Sequence, residues 1–177
     1  MATDSASSKA AATCGFDAAR LVREHQAGVW RYLRVLGCSP NEAEDLTQDT
    51  FVAVLQKPFK EINRAATAAY LRQAARSLFI SSQRRAARVA AAELDEIEQT
   101  WTRWAANDDG QELLAALQKC LETLAGRARQ ALDMRFREGS SRAEIAAKLG
   151  LSEDGAKNLM QRAKQHLRTC IERTLRC

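Results

Sequence analysis

Apolar residues recur along most of this chain at steps of three and four, the period of a helix that buries one face. Leu21, Val29, Leu33 and Leu36 keep that rhythm and predict a first helix over Phe16 to Leu36, with Gly37 as its stop. Next comes Ser39-Pro40-Asn41-Glu42, which has the spacing of a capping box. The Ser39 hydroxyl can accept the third helical N–H, Pro40 suits the first turn, and Glu42 can reach back. The helix so opened is expected to run to about Gln56, with Ala43, Leu46, Thr50, Phe51, Val54 and Leu55 inward. Asp45, Gln48, Asp49 and Gln56 are then left outward. Lys57-Pro58-Phe59 ends it, and a third helix is expected over about Thr67 to Arg88. Asn107-Asp108-Asp109-Gly110 is a breaker cluster, and the stretch 89–110 reads as a linker that holds a domain boundary.

In the second half, Leu113, Leu114, Leu117, Leu121 and Leu124 form one apolar stripe beginning near Gln111. Gly126 interrupts, and a further helix is expected over Ala128 to Arg137. Ser141-Arg142-Ala143-Glu144 is a second capping box, opening a short helix that ends at Gly150. Ser152 then caps a long last helix through about Arg173. A short helix, a glycine-containing turn and a longer helix make a helix-turn-helix. Ala156, Met160, Ala163, Leu167 and Ile171 fix the buried face of the last helix. That leaves Lys157, Asn158, Gln161, Arg162, Lys164 and Arg168 outside, a mixture of amides and long bases suited to a DNA major groove.

Composition narrows the fold class. The 177 residues are rich in alanine, contain only two prolines, and show no long apolar–polar alternation, so the fold is expected to be all-α. No uncharged run exceeds seven residues, far short of a membrane span. Met1 to Ala12 lacks the apolar stretch of a secretory signal, and a cytoplasmic location is expected. The five cysteines, Cys14, Cys38, Cys120, Cys170 and Cys177, form no CxxC pair, and His25 and His166 stand at no metal-ligand spacing. Buried or idle thiols in a reducing compartment are therefore expected, with no metal and no cofactor. Phosphate-loop, HExxH and nucleophile-elbow motifs are all missing, so no catalytic set is expected either.

Charge adds more when it is counted by segment. Residues 40–56 carry four acids and no base, and residues 57–88 carry eight bases against Glu61 alone. Residues 89–110 invert to six acids against Arg103, and residues 111–177 hold 13 bases and 8 acids. Most charge runs are solvated helix faces. Two basic blocks parted by an acidic one look instead like two phosphate-contacting surfaces on one chain.

At these residues the chain resembles the extracytoplasmic-function sigma factors, the small two-domain initiation factors of bacterial RNA polymerase. Ala43-Glu-Asp-Leu-Thr-Gln-Asp-Thr-Phe51 is similar to the family's AEDLxQExF helix, which docks on the clamp helices of the polymerase. Tyr70-Leu-Arg-Gln-Ala-Ala-Arg76 through Arg84-Arg85 resembles the segment that melts and reads the −10 element. Glu144-Ile-Ala-Ala-Lys-Leu-Gly150, followed by Ser152 and Lys157 to Lys164, resembles the module that reads the −35 element. There are departures: Tyr70 stands where the family usually has Trp, Ser77 and Ser81 replace common Asn and Asp, and Leu159 replaces a common base. Asp154-Gly155-Ala156 replaces the usual Gly-Thr-Val at the start of the recognition helix.

The resemblance implies two small helical domains, like sigma regions 2 and 4, over residues 16–88 and 111–177, joined by an acidic linker over 89–110 and preceded by a disordered segment over 1–15. It implies core RNA polymerase and promoter DNA as partners, and raises an anti-sigma factor as a further one. Glu44, Asp45, Gln48 and Asp49 would bind core polymerase. Arg64, Tyr70, Arg72, Arg76, Ser77, Arg84 and Arg85 would contact the −10 region. Arg142, Lys157, Asn158, Gln161, Arg162 and Lys164 would contact the −35 region. The alternative is a stand-alone helix-turn-helix regulator with an N-terminal sensory or dimerisation domain. It accounts for residues 111–177 but leaves the matches at 43–51 and 70–85 unexplained.

Overall fold

The computed structural model describes residues 17–58, 61–83, 91–105 and 109–176. The N-terminal segment 1–15 and the pair Arg84 and Arg85 lie outside the described residues. Among those described, the chain is all-α, with helices α1 (Ala18–Val35), α2 (Pro40–Leu55), α3 (Arg64–Gln83), α4 (Ala91–Trp104), α5 (Gln111–Glu122), α6 (Gly126–Phe136), α7 (Arg142–Leu149) and α8 (Glu153–Arg176).

Local signals set most helix ends. Both expected capping boxes form: Ser39 Oγ accepts from Glu42 N while the Glu42 carboxylate accepts from Ser39 N, and Ser141 and Glu144 repeat the exchange. These bonds favour the charged carboxylate, so both Glu42 and Glu144 are held below the usual carboxylate range. Helix α3 starts three residues before its expected Thr67, because the Asn63 side chain accepts from Ala66 N at 2.8 Å and caps it earlier. Gly126, expected to interrupt, is the first residue of α6. On α2 the buried set is Ala43, Thr47, Thr50, Phe51 and Val54, whereas Leu55, expected inward, is 38% exposed. Thr47 takes its place inside because its hydroxyl is satisfied by the Ala43 carbonyl at 2.6 Å.

The main core is built around α1. Tyr32, Leu33 and Leu36 are fully buried against Phe51 and Val54 of α2, Leu71, Ala75 and Phe79 of α3, and Leu113 and Ala116 of α5. Helix α4 joins the same core through Leu94 and Trp101, with Ile97 packed alongside. The stretch expected to be an acidic linker therefore carries a packed helix, whose apolar residues fall at 94, 97 and 101 on one face. Burying Leu94 and Trp101 contributes about 1.5–3 kcal/mol each by area, more than any single surface ion pair. The Trp101 ring stands edge-on to Tyr32, with centroids 5.2 Å apart. It also explains Gly110, whose φ is +80° and where a Cβ would run into the Trp101 ring.

A second, smaller cluster holds Ala131 and Met134 of α6, Ile145, Ala146 and Leu149 of α7, and Ala156 and Met160 of α8. Helix α8 belongs to both clusters, since Cys170 and Ile171 near its far end lie in the main core. Of its expected stripe, Ala156, Met160, Ala163 and Ile171 are buried and Leu167 is half-buried. The expectation of idle thiols fails at two positions, because Cys120 of α5 and Cys170 of α8 form a disulfide. No local spacing announces it: the two residues are 50 apart in sequence and meet only because α5 and α8 pack together. Cys38 is a free, buried thiol, and burial pushes it up to about 12. No described helix is long and apolar enough to cross a membrane.

Candidate nucleic-acid interface

Three surfaces carry the residues singled out by sequence. On α2, Glu44, Asp45, Gln48 and Asp49 are all exposed, and Val52, 54% exposed, continues the ridge one turn on. The Ala43–Thr47–Thr50–Val54 face turned inward fixes this rotation, so an acidic row ending in an apolar side chain faces solvent.

The basic residues of α3 are placed differently. Leu71, Ala75 and Phe79 turn into the core and set Arg72 and Arg76 one helical turn apart on the flank. Helix α4 lies against that flank. Arg72 Nε is 3.4 Å from a Glu98 oxygen, and Arg76 Nη2 is 2.5 Å from Asp95 Oδ1. Their side chains are only 16% and 26% exposed. Arg64 is more open and pairs with Asp109 at 2.9 Å. Tyr70 is 42% exposed, and the Ser77 hydroxyl donates back to the Gln73 carbonyl. Glu98 also lies beside the buried Tyr32. Burial above all, and then that carboxylate, push the Tyr32 phenol up, so it stays protonated.

The helix-turn-helix of α7 and α8 presents the third surface. Gly150 closes α7 with φ of +62°, and Ser152 Oγ accepts from Gly155 N at 3.0 Å to open α8. The atypical Asp154-Gly155-Ala156 start is thus a regular helical turn, with Ala156 fully buried. Arg127 Nη2 donates to the Leu149 carbonyl and holds the end of α7 to α6. Lys157, Asn158, Gln161 and Arg162 are all exposed along one side of α8. Arg142 is also exposed and stands 3.7 Å from Glu153. Lys164 departs from this group, lying 3.4 Å from Glu96 and 3.8 Å from Glu93 of α4.

Sequence reasoning missed the acids that meet these bases. Glu93 pairs with Arg135 of α6 at 2.9 Å as well as with Lys164, so α4 reaches bases on α3, α6 and α8. The signal was the acidic block between two basic ones, read as an acidic linker. Sequence reasoning also missed a cavity of about 430 Å³ between α1, α3 and α4, lined in part by His25, Arg64, Arg72, Trp101 and Asp109. His25 is buried, and burial, then the charge of Arg64, hold its imidazole below the ordinary value. Glu24, His25 and Glu61 bring one ligand atom each within 4.8 Å of the others. Arg20 already stands against both carboxylates, at 3.5 Å from Glu24 and 2.5 Å from Glu61, and takes the cation's place there.

Comparison with known proteins matches two family models in order along the chain. Sigma-70 region 2 matches residues 21–89, and Sigma-70, region 4, matches residues 114–167. The ECF RNA polymerase sigma factor SigE of Mycolicibacterium smegmatis is 29% identical over 155 residues, which cover 84% of this chain. The chain spans 59% of the length of that relative. Among solved structures, an RsbN–BldN complex aligns at 23% identity over 86% of this chain and 90% of that one, with a TM-score of 0.30. CnrH in complex with the cytosolic domain of CnrY aligns at 23% identity over 88% and 87%, with a TM-score of 0.34.

Proposed function

Since the chain belongs to the sigma-70 family, in its extracytoplasmic-function branch, we propose that it binds core RNA polymerase and directs initiation at promoters through −10 and −35 elements. The observation that carries the reading is the pairing, on one chain, of an exposed acidic ridge on α2 with an exposed amide-and-base ridge on the second helix of a helix-turn-helix. A stand-alone DNA-binding regulator has use for the second ridge only.

In this reading Glu44, Asp45, Gln48 and Asp49 dock on a basic protein surface of the polymerase, with Val52 adding apolar contact at the end of the row. Arg64, Arg72 and Arg76, continued by Arg84 and Arg85, follow the backbone of the opening −10 duplex, while Tyr70 offers a ring to an unstacked base and Ser77 a hydroxyl. Lys157, Asn158 and Gln161 enter the −35 major groove, and Arg162, Lys164 and Arg142 hold flanking phosphates. None of these steps makes or breaks a covalent bond in this chain, so its role is non-enzymatic.

Runoff transcription with core polymerase over a random promoter library tests the proposal. Transcripts that start downstream of one enriched pair of elements are expected. DNA binding without stoichiometric core binding would instead favour the stand-alone regulator.

A further inference from the structure

Helix α4 has three faces, and each has found a partner. Leu94, Ile97 and Trp101 enter the main core. Asp95 and Glu98, one turn apart, meet Arg76 and Arg72 in reversed order along α3. Glu93 and Glu96 meet Lys164 of α8, and Glu93 also meets Arg135 of α6. A merely solvated acidic linker would leave its carboxylates unpaired. Here they stand against four bases drawn from both halves of the chain.

The spacing matters. Arg72 and Arg76 spring from positions about 6 Å apart along the axis of α3, a row suited to successive oxyanions. Asp95 and Glu98 fill that row with carboxylates, in the positions a nucleic-acid backbone would take. The Arg72 side chain, at 16% exposed, has little surface left for a second anion. Lys164 is engaged by the same helix while the rest of the α8 ridge is open.

We propose that α4 is a built-in cover: in the free chain its acidic face occupies Arg72 and Arg76, and it must leave α3 before those arginines can take a nucleic-acid backbone. The inference rests on the reading of α3 as a DNA-contacting helix. It adds that the free chain is closed and that the acidic segment competes with DNA. Because α4 also holds Lys164 and Arg135, its departure loosens both halves of the molecule together.

The test compares the wild-type chain, Asp95→Asn/Glu98→Gln, and a charge-matched control, Glu112→Gln/Glu122→Gln, on exposed positions of α5. The probe is a fluorescein-labelled, mixed-sequence, single-stranded DNA followed by anisotropy at low salt. The α4 variant is expected to bind about five-fold more tightly than the control, the effect of releasing two ion pairs. Equal affinity of the two variants overturns the proposal. Amide hydrogen exchange of the wild-type chain gives a second readout that needs no substitution. Saturating probe is expected to accelerate exchange across 91–104, and unchanged protection there also overturns the proposal. Runoff transcription with the same proteins separates the two readings. Equal affinities with active runoff remove the cover alone, whereas a wild-type chain inactive with core polymerase removes the initiation-factor reading.

Discussion

Arg72 and Arg76 on α3 face carboxylates of a neighbouring helix, while Lys157, Asn158, Gln161 and Arg162 on α8 face solvent. Both sets are rows of polar side chains on one flank of a helix whose opposite flank is buried. They differ in what lies across from them. Helix α4 is brought to α3 by Leu94 and Trp101, and its acids follow the apolar residues into place. A basic ridge is therefore available or engaged according to the core packing of its neighbours, and its own composition does not decide the matter.

Trp101→Ala breaks this contrast most severely. It removes the edge-on contact with Tyr32 and much of the anchor of α4, and should cost about 3–5 kcal/mol in urea unfolding. The base preference of the exposed Lys157–Arg162 face of α8 should be unchanged in the same variant, as read in a binding-site selection. Removing the disulfide acts where α8 joins the main core, at the far end from its open ridge. Cys120→Ala/Cys170→Ala should lower stability by about 2–4 kcal/mol, measured as a drop in unfolding midpoint that added dithiothreitol no longer deepens.

Substitutions on α8 sharpen the comparison without touching the core. Gln161→Ala should relax base preference at one −35 position by about 1–3 kcal/mol in a binding-site selection. Arg162→Ala should weaken all sequences alike and flatten the salt slope by about one counterion. Ser141→Ala removes the cap of α7 and should cost about 1 kcal/mol of thermal stability, with little change in the α3–α4 side of the molecule.

The smallest effect is a pH dependence at the edge of the covered surface. Burial holds the folded His25 imidazole below its ordinary value of 6.5, so the unfolded chain binds the proton more readily. The neutral-His25 contribution is complete above pH ~6.5 and is lost as pH falls toward the folded value. Melting curves between pH 7.5 and 5.5 should show that decline, and His25→Gln should flatten it.

What the sequence made legible was local. The two capping boxes depend on residues three apart, so Ser39 with Glu42 and Ser141 with Glu144 could be read directly. The rotation of α8 followed from its apolar stripe, and with it the exposure of Lys157 and Gln161. Less legible was anything that depends on which helices become neighbours. Arg72 meets Glu98 across 26 residues and Arg76 meets Asp95 across 19, and no periodicity reports such pairs. The stripe 94, 97, 101 was present in α4 but was outweighed by its charge, and Cys120 with Cys170 carried no spacing signal. At Thr47 and Leu55 helical periodicity gave the face but not its limits, since a hydroxyl bonded to its own helix can enter a core that a terminal leucine leaves.

The continuity of α8 across the two apolar clusters has a mechanical corollary. Lys157 stands thirteen residues before Cys170, about 20 Å along an unbroken rod. A tilt of about 10° at the anchored end would swing the tip by about 3.5 Å, close to one base step of 3.4 Å. Side chains around Cys170 and Ile171 thus act as the pivot bearing of a lever arm, and any slack there would be magnified into a misreading of register at the far end.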